Sequence, residues 1–130
     1  MKFLTEDDIE RLHIEIIDAS GGAHGVRDRG RINSAVTSQK QAVFGEELYK
    51  SIYEKAAVLT RGIVKDRPFI DGNKRTGVTA GLLFMEVNGY DMAALIDREL
   101  EEFTMHIAIN NPEISEIAAW FKRYSKEPEK

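Results

Sequence analysis

The sequence contains no cysteine. That excludes disulfides, thiolate zinc sites and cysteine nucleophiles, and it suits a reducing compartment such as the cytoplasm. Proline is scarce, at three in 130 residues, and no Pro-rich linker divides the chain. An excess of positive charge is also missing. With 18 Lys and Arg against 22 Asp and Glu the net charge is −4, which argues against a whole-protein electrostatic grip on DNA or on an anionic membrane. The most apolar stretch, Gly77 to Val87, is about half of the roughly 20 residues a membrane helix requires. The N-terminus turns acidic at Glu6-Asp7-Asp8, where a signal peptide would continue as an apolar run. The expectation is a soluble, untargeted, cytoplasmic protein, a single domain over residues 1–130, with no membrane partner and no direct contact with DNA.

What is present reads as helix. Apolar residues make up 42% and charged residues 31%, ordinary values for a folded protein. Thr5 followed by Asp8 forms an N-cap with an acidic third position, and Ile9, Leu12, Ile16 and Ile17 then recur at helical spacing until Gly21-Gly22. A Gly- and Arg-rich loop follows to Arg31, then a short helix over Ile32 to Ala42. Leu48, Ile52, Ala56, Leu59 and Ile63 mark a longer helix, which breaks near Arg67 because Pro68 pushes its predecessor out of the helical region. Further helices are expected from Asn73 to Val87, Ala93 to Ile109 and Pro112 to Tyr124, the last with Asn111 as its cap. No segment alternates with period two for long enough to be a strand. The fold class is therefore all-α, a compact bundle of about six helices.

One segment breaks the local rules. In Arg67-Pro68-Phe69-Ile70-Asp71-Gly72-Asn73-Lys74-Arg75-Thr76-Gly77 a tight loop runs into a helix whose first turn carries two cations. A helix N-terminus is partially positive, so each misplaced cation costs on the order of 0.3–1 kcal/mol unless something offsets it. A bound phosphate would do so, accepting hydrogen bonds from loop N–H groups and pairing with Arg75, with Gly72 allowing close approach and Asp71 holding a hard cation such as Mg²⁺. The plainer alternative is a common Asp-Gly-Asn turn followed by a solvated Lys-Arg pair.

The segment resembles the signature of the Fic/Doc superfamily, and in particular of death-on-curing (Doc) toxins, whose pattern is His-Pro-Phe-x-Asp-Gly/Ala-Asn-Lys-Arg-Thr. The resemblance extends to Phe3-Leu4-Thr5, the Gly21-Gly22 to Gly30 loop with Arg27-Asp28, Phe44-Gly45-Glu46, Tyr49, Glu54-Lys55-Ala56-Ala57 and Asn88-Gly89-Tyr90. It implies a Fic/Doc-like fold and a nucleotide-dependent kinase that inactivates translation elongation factor Tu, using a nucleoside triphosphate (ATP) and Mg²⁺. It makes Asp71 the metal and orienting carboxylate, lines the anion loop with Gly72 and Asn73, and gives Arg75 the phosphate oxygens. Lys74, where members that transfer a nucleotidyl group have Gly, would help to select the nucleotide's orientation. Doc toxins are restrained by an antitoxin helix lying in a groove, so an apolar trough is expected here too.

The first motif position departs from the family. Arg67 stands where the family has the His that accepts the proton of the attacking hydroxyl, and a guanidinium cannot act as a base. Loss of a positioned base costs ~10²–10⁴ in rate, so the chain as written is expected to be inactive or impaired. Either Arg67 is native to a non-catalytic binder of antitoxin or nucleotide, or it relieves the toxicity of an otherwise undamaged motif. Nucleotidyl (AMP) transfer is a third reading. Among other candidates, His13 and His106 read as structural, and His24 lies in the Gly-rich loop. Arg27, Arg29 and Arg31 form either a solvated turn, a wall of the cleft or a contact for an acidic stretch of a partner. Asp97, Glu99, Glu101 and Glu102 read as an exposed helix face, and Trp120, Phe121 and Tyr124 as packing.

Overall fold

A computed structural model describes residues 1–129. Its elements run α1 (Glu6–Ser20), α2 (Arg29–Ser38), β1 (Ala42–Val43), β2 (Glu46–Glu47), α3 (Ile52–Asp66), α4 (Asn73–Val87), α5 (Asp97–Asn110) and α6 (Ile114–Tyr124). The all-α expectation holds, with six helices among the described residues and one small antiparallel hairpin pairing Ala42 with Glu47 and Val43 with Glu46. No described helix is long and apolar enough to cross a membrane.

Helix α3 lies at the centre, packed against α4, α6 and α2, while α1 and α5 lean on α4. Its face of Ala56, Leu59 and Ile63 is fully buried with Ile9, Ile32, Phe84, Ile117 and Phe121. Each of the Leu, Ile and Phe side chains contributes about 1.5–3 kcal/mol on removal from water. The α3–α4 crossing is close because α4 carries glycines one turn apart. A Cβ on Gly77 would stand 2.6 Å from Val64, and one on Gly81 would stand 2.2 Å from the Thr60 hydroxyl and 2.5 Å from the Phe121 ring.

Helix limits follow the caps. Thr5 and Asp8 form a reciprocal capping box at α1, as the sequence indicates. Helix α2 spans Arg29–Ser38 rather than Ile32 to Ala42, because the Asp28 carboxylate accepts the Gly30 N–H at 2.9 Å and starts the helix early. Ala42 instead enters the hairpin, whose tip, Phe44-Gly45, has positive φ at both residues (51° and 80°), as a tight primed turn requires. Strands of two residues are too short to show a period. Helix α3 begins at Ile52, not Leu48, where Ser51 and Glu54 make a second capping box. Helix α5 begins at Asp97, not Ala93, whose N–H is held by Asp91 at 2.7 Å in the preceding turn. Asn111 does not cap α6. It ends α5 in the left-handed region (φ 47°), and Glu113 precedes α6.

Two charged or polar side chains, one buried and one half-exposed, tie neighbouring elements together. Lys55, 2% exposed, donates to the Tyr49 carbonyl and to Glu47 at 3.1 Å, tying the hairpin to α3. His106 accepts from Asn110 at Nδ1 (2.8 Å) and donates from Nε2 to Glu116 (2.5 Å), a half-exposed clip between α5 and α6 that fits its structural reading. Trp120 stacks on Phe103 at 3.7 Å and Phe121 is fully buried, so these aromatics are packing.

Candidate active site

Helix α3 ends at Arg67, whose backbone is left-handed (φ 52°, ψ 62°) and whose N–H still bonds to the Ile63 carbonyl. Pro68 then forbids further helix, and the chain turns through Phe69 to Gly72 before α4 begins. The Gly- and Arg-rich loop braces this turn. Arg27 and Asp28 both donate backbone N–H groups to the Pro68 carbonyl (2.7 and 3.0 Å), and Ile70 donates to the Gly25 carbonyl at 3.0 Å.

The arginines of that loop do not line the cleft. Arg27 donates to the Arg67 carbonyl and Arg31 to the Asp66 carbonyl, both at 2.7 Å, so two cations sit on the negative end of α3. Arg29 pairs with Glu10 on α1. They are neither a free basic turn nor a wall of the site, but the fastening that fixes where α3 stops. Spacing cannot reveal this, because the carbonyls they meet lie some forty residues away.

Between the end of α1, the motif loop and the start of α4 is a cleft of about 630 Å³. It brings together every residue singled out in the motif: Arg67, Asp71, Gly72, Asn73, Lys74 and Arg75 all line it. Lys65 also borders it, its Nζ donating to the Ala108 carbonyl at 3.2 Å. Four cations thus face one carboxylate. Among the described residues Arg67, Lys74 and Arg75 make no ion pair.

Helix α4 opens at this cleft without a side-chain cap and without an acidic residue in its first turn. Gly72 takes the N-cap position with φ 77°, a conformation glycine adopts without strain, and a Cβ there would stand 2.9 Å from Ile17. The Asn73 side chain turns inward. Its oxygen accepts the Phe69 N–H and its nitrogen donates to the Phe69 carbonyl, both at 2.9 Å, so it clamps the loop and offers the cleft only its backbone. The Asp71 carboxylate accepts its neighbour's N–H, from Gly72, at 2.9 Å and that of Ala23 at 3.2 Å.

Histidines are absent from this cleft lining. His24 is exposed and bonded to Asp18 at 2.8 Å. His13, 2% exposed, is buried behind the loop against Phe69. No group of three or more metal-binding side chains occurs among the described residues. Asp71 is the one carboxylate residue of the cleft lining, so a hard cation held there would need further oxygen ligands from beyond these side chains.

A second depression of about 550 Å³ lies between α4 and α5 and shares Lys74 and Arg75 with the cleft. Val78, Leu100 and Met105 make it largely apolar, with Asp97 and Glu101 on its α5 side.

A family model described as Fic/DOC family matches residues 3–85, from the segment before α1 through most of α4. The chain is 34% identical over 102 residues to Toxin Doc of Mycolicibacterium smegmatis, with 78% of each protein covered. It is 28% identical over 123 residues to Protein kinase doc of Escherichia phage P1, with 95% of each covered. With the family match running over more than half of the chain and through the whole of the cleft-forming loop, this protein belongs to the Fic/DOC family.

Proposed function

We propose that this chain is the toxin of a toxin–antitoxin module. Its cleft binds a nucleoside triphosphate, ATP with Mg²⁺, and is built to pass the terminal phosphate to a hydroxyl of a protein in the translation machinery, elongation factor Tu, with Arg67 leaving it inactive or impaired. The observation that carries the reading is the start of α4. An uncapped helix end that bears Lys74 and Arg75, beside Arg67 and Lys65, is electrostatically incomplete until an anion with several negative charges fills it. The relatives named Toxin Doc and Protein kinase doc make phosphoryl transfer by a toxin the activity to test.

Phosphoryl transfer needs little covalent chemistry from a protein and much positioning. Arg75 and Lys74 would neutralise phosphate oxygens, while the N–H groups at the start of α4 accommodate charge without reorganising. Asp71 would hold Mg²⁺ together with phosphate oxygens, the ion supplying further neutralisation. The proton of the attacking hydroxyl has no acceptor at position 67, and no histidine lines the cleft in its place. That favours a second reading, a non-catalytic member that binds nucleotide and antitoxin. In either case the groove between α4 and α5 is the trough for an antitoxin helix, its apolar floor ending at Lys74 and Arg75, where an acidic residue of the helix would compete with phosphate.

Label transfer from gamma-labelled ATP to a bacterial lysate, with this chain and Arg67→His side by side, tests the reading. A protein band labelled only by the Arg67→His chain, at a rate ~10²–10⁴ above the parent, supports the disabled kinase. Equal labelling by both overturns the role given to Arg67. Label retained only from alpha-labelled ATP supports nucleotidyl transfer. Binding of ATP with no transfer by either chain supports the non-catalytic reading.

A further inference from the structure

The backbone of Asp71, the carboxylate residue of the cleft lining, is held from behind by helix α1. His13 lies fully inside the protein, its ring parallel to that of Phe69 at 3.8 Å with 4° between the planes. Its Nε2 is 2.7 Å from the Asp71 carbonyl oxygen. A carbonyl only accepts, so Nε2 carries the proton and donates it. The next residue is Gly72, left-handed at φ 77°.

A peptide unit followed by glycine turns over readily, because glycine accepts either sense of the backbone. The Asp71–Gly72 peptide has two possible facings. As it stands, the carbonyl oxygen points back to His13 and the N–H points to the Asp71 carboxylate, 2.9 Å from Oδ1. Overturned, it would send a carbonyl oxygen toward the cleft and withdraw the N–H from the carboxylate. A partial negative charge would then stand where a phosphate is to bind. Among the described residues, the only side-chain hydrogen bond that holds the carbonyl back comes from His13. Packing reinforces it: a Cβ on Gly72 would meet Ile17 at 2.9 Å and the His13 ring at 3.7 Å, so α1 and the loop are in close contact along one helical face.

The geometry points to His13 as a positioning residue that acts through Asp71 and Gly72 and sets the anion affinity of the cleft without touching the ligand. This inference rests on the reading of the cleft as a nucleotide site, and deepens it by making α1 part of that site.

The test compares His13→Gln with His13→Leu. Both lose the stack on Phe69. Gln keeps a nitrogen donor at about the reach of Nε2, whereas Leu keeps bulk without a donor. ATP with Mg²⁺ is titrated calorimetrically into the parent and both variants, and the amide spectrum of each free protein is recorded. The Leu variant is expected to bind ATP roughly tenfold more weakly, as for other supporting residues behind a ligand, and the Gln variant within about threefold of the parent. The Gly72 and Asn73 amide resonances should move further in Leu than in Gln, where only the lost ring current displaces them, while the two variants melt at similar temperatures. Equal affinity in parent and Leu, or equal loss in Gln and Leu, overturns the role of His13. If the parent itself binds no ATP, the nucleotide reading fails, and His13 is then judged on the amide spectra, where Gly72 and Asn73 shifts no larger in Leu than in Gln overturn it.

Discussion

Arg67 occupies a backbone conformation that costs an ordinary residue about 1–2 kcal/mol, and three neighbours keep it there: Pro68 bars further helix, the Ile63 carbonyl accepts its N–H and Arg27 holds its carbonyl. Histidine is among the residues that enter this region more readily. A histidine would therefore fit this backbone with no more strain than Arg. Asn73 shows a different kind of constraint. Its motif position suggests a lining for the anion loop, yet both ends of its amide are spent on Phe69, and which way an amide turns depends on what is buried beside it. Asn73→Ala removes both bonds and leaves the Phe69 backbone N–H and carbonyl inside the protein without partners. We expect a loss of about 1–3 kcal/mol in urea denaturation, together with weakened ATP binding.

At the scale of elements, the decisive contact is the crossing of α3 and α4. Gly77 and Gly81 read in the sequence only as part of an apolar helix, and nothing in their spacing says what they face. The structure gives the reason for both, since Val64 and the α3 backbone at Gly77, and the Thr60 hydroxyl and Phe121 ring at Gly81, fill the places where side chains would stand. Gly81→Ala would gain about 1 kcal/mol of helix propensity on an isolated helix. Here the added methyl meets atoms at 2.2 and 2.5 Å, and overpacking of this kind costs roughly 1–3 kcal/mol. Thermal unfolding should therefore show a lower melting temperature for Gly81→Ala, and a rise would contradict the packing described. The start of α1 was legible from its capping box at Thr5 and Asp8, whereas the starts of α2 and α3 were misplaced because the caps Asp28 and Ser51 were passed over, although the Ser51–Glu54 box is equally local.

For the whole molecule, the balance of charge and its placement oppose each other. The chain is acidic by four charges, yet its main cleft sets four cations against one carboxylate. Attraction of a triphosphate as proposed would then be local and screened by salt, since the Debye length falls from about 14 Å to about 4 Å between roughly 50 and 500 mM. ATP affinity is expected to drop about tenfold over that range in a calorimetric titration, and a flat response would mean that apolar contacts, not these cations, hold the nucleotide.

The sequence by itself determined the helical class, the start of α1, the run of α4 and the list of residues that meet in the cleft. The first three follow from periodicity and capping chemistry, which act within a few positions along the chain, whereas the list of cleft residues came with the motif's resemblance to the family signature and lacked Lys65. Only the tertiary structure decided that Arg27 and Arg31 fasten the end of α3, that Lys55 anchors the hairpin, and that His13 reaches the back of Asp71. Each of those is a hydrogen bond to a backbone carbonyl, and a carbonyl looks the same at every residue. Which carbonyl stands unpaired beside which donor is settled by packing, not by spacing along the chain.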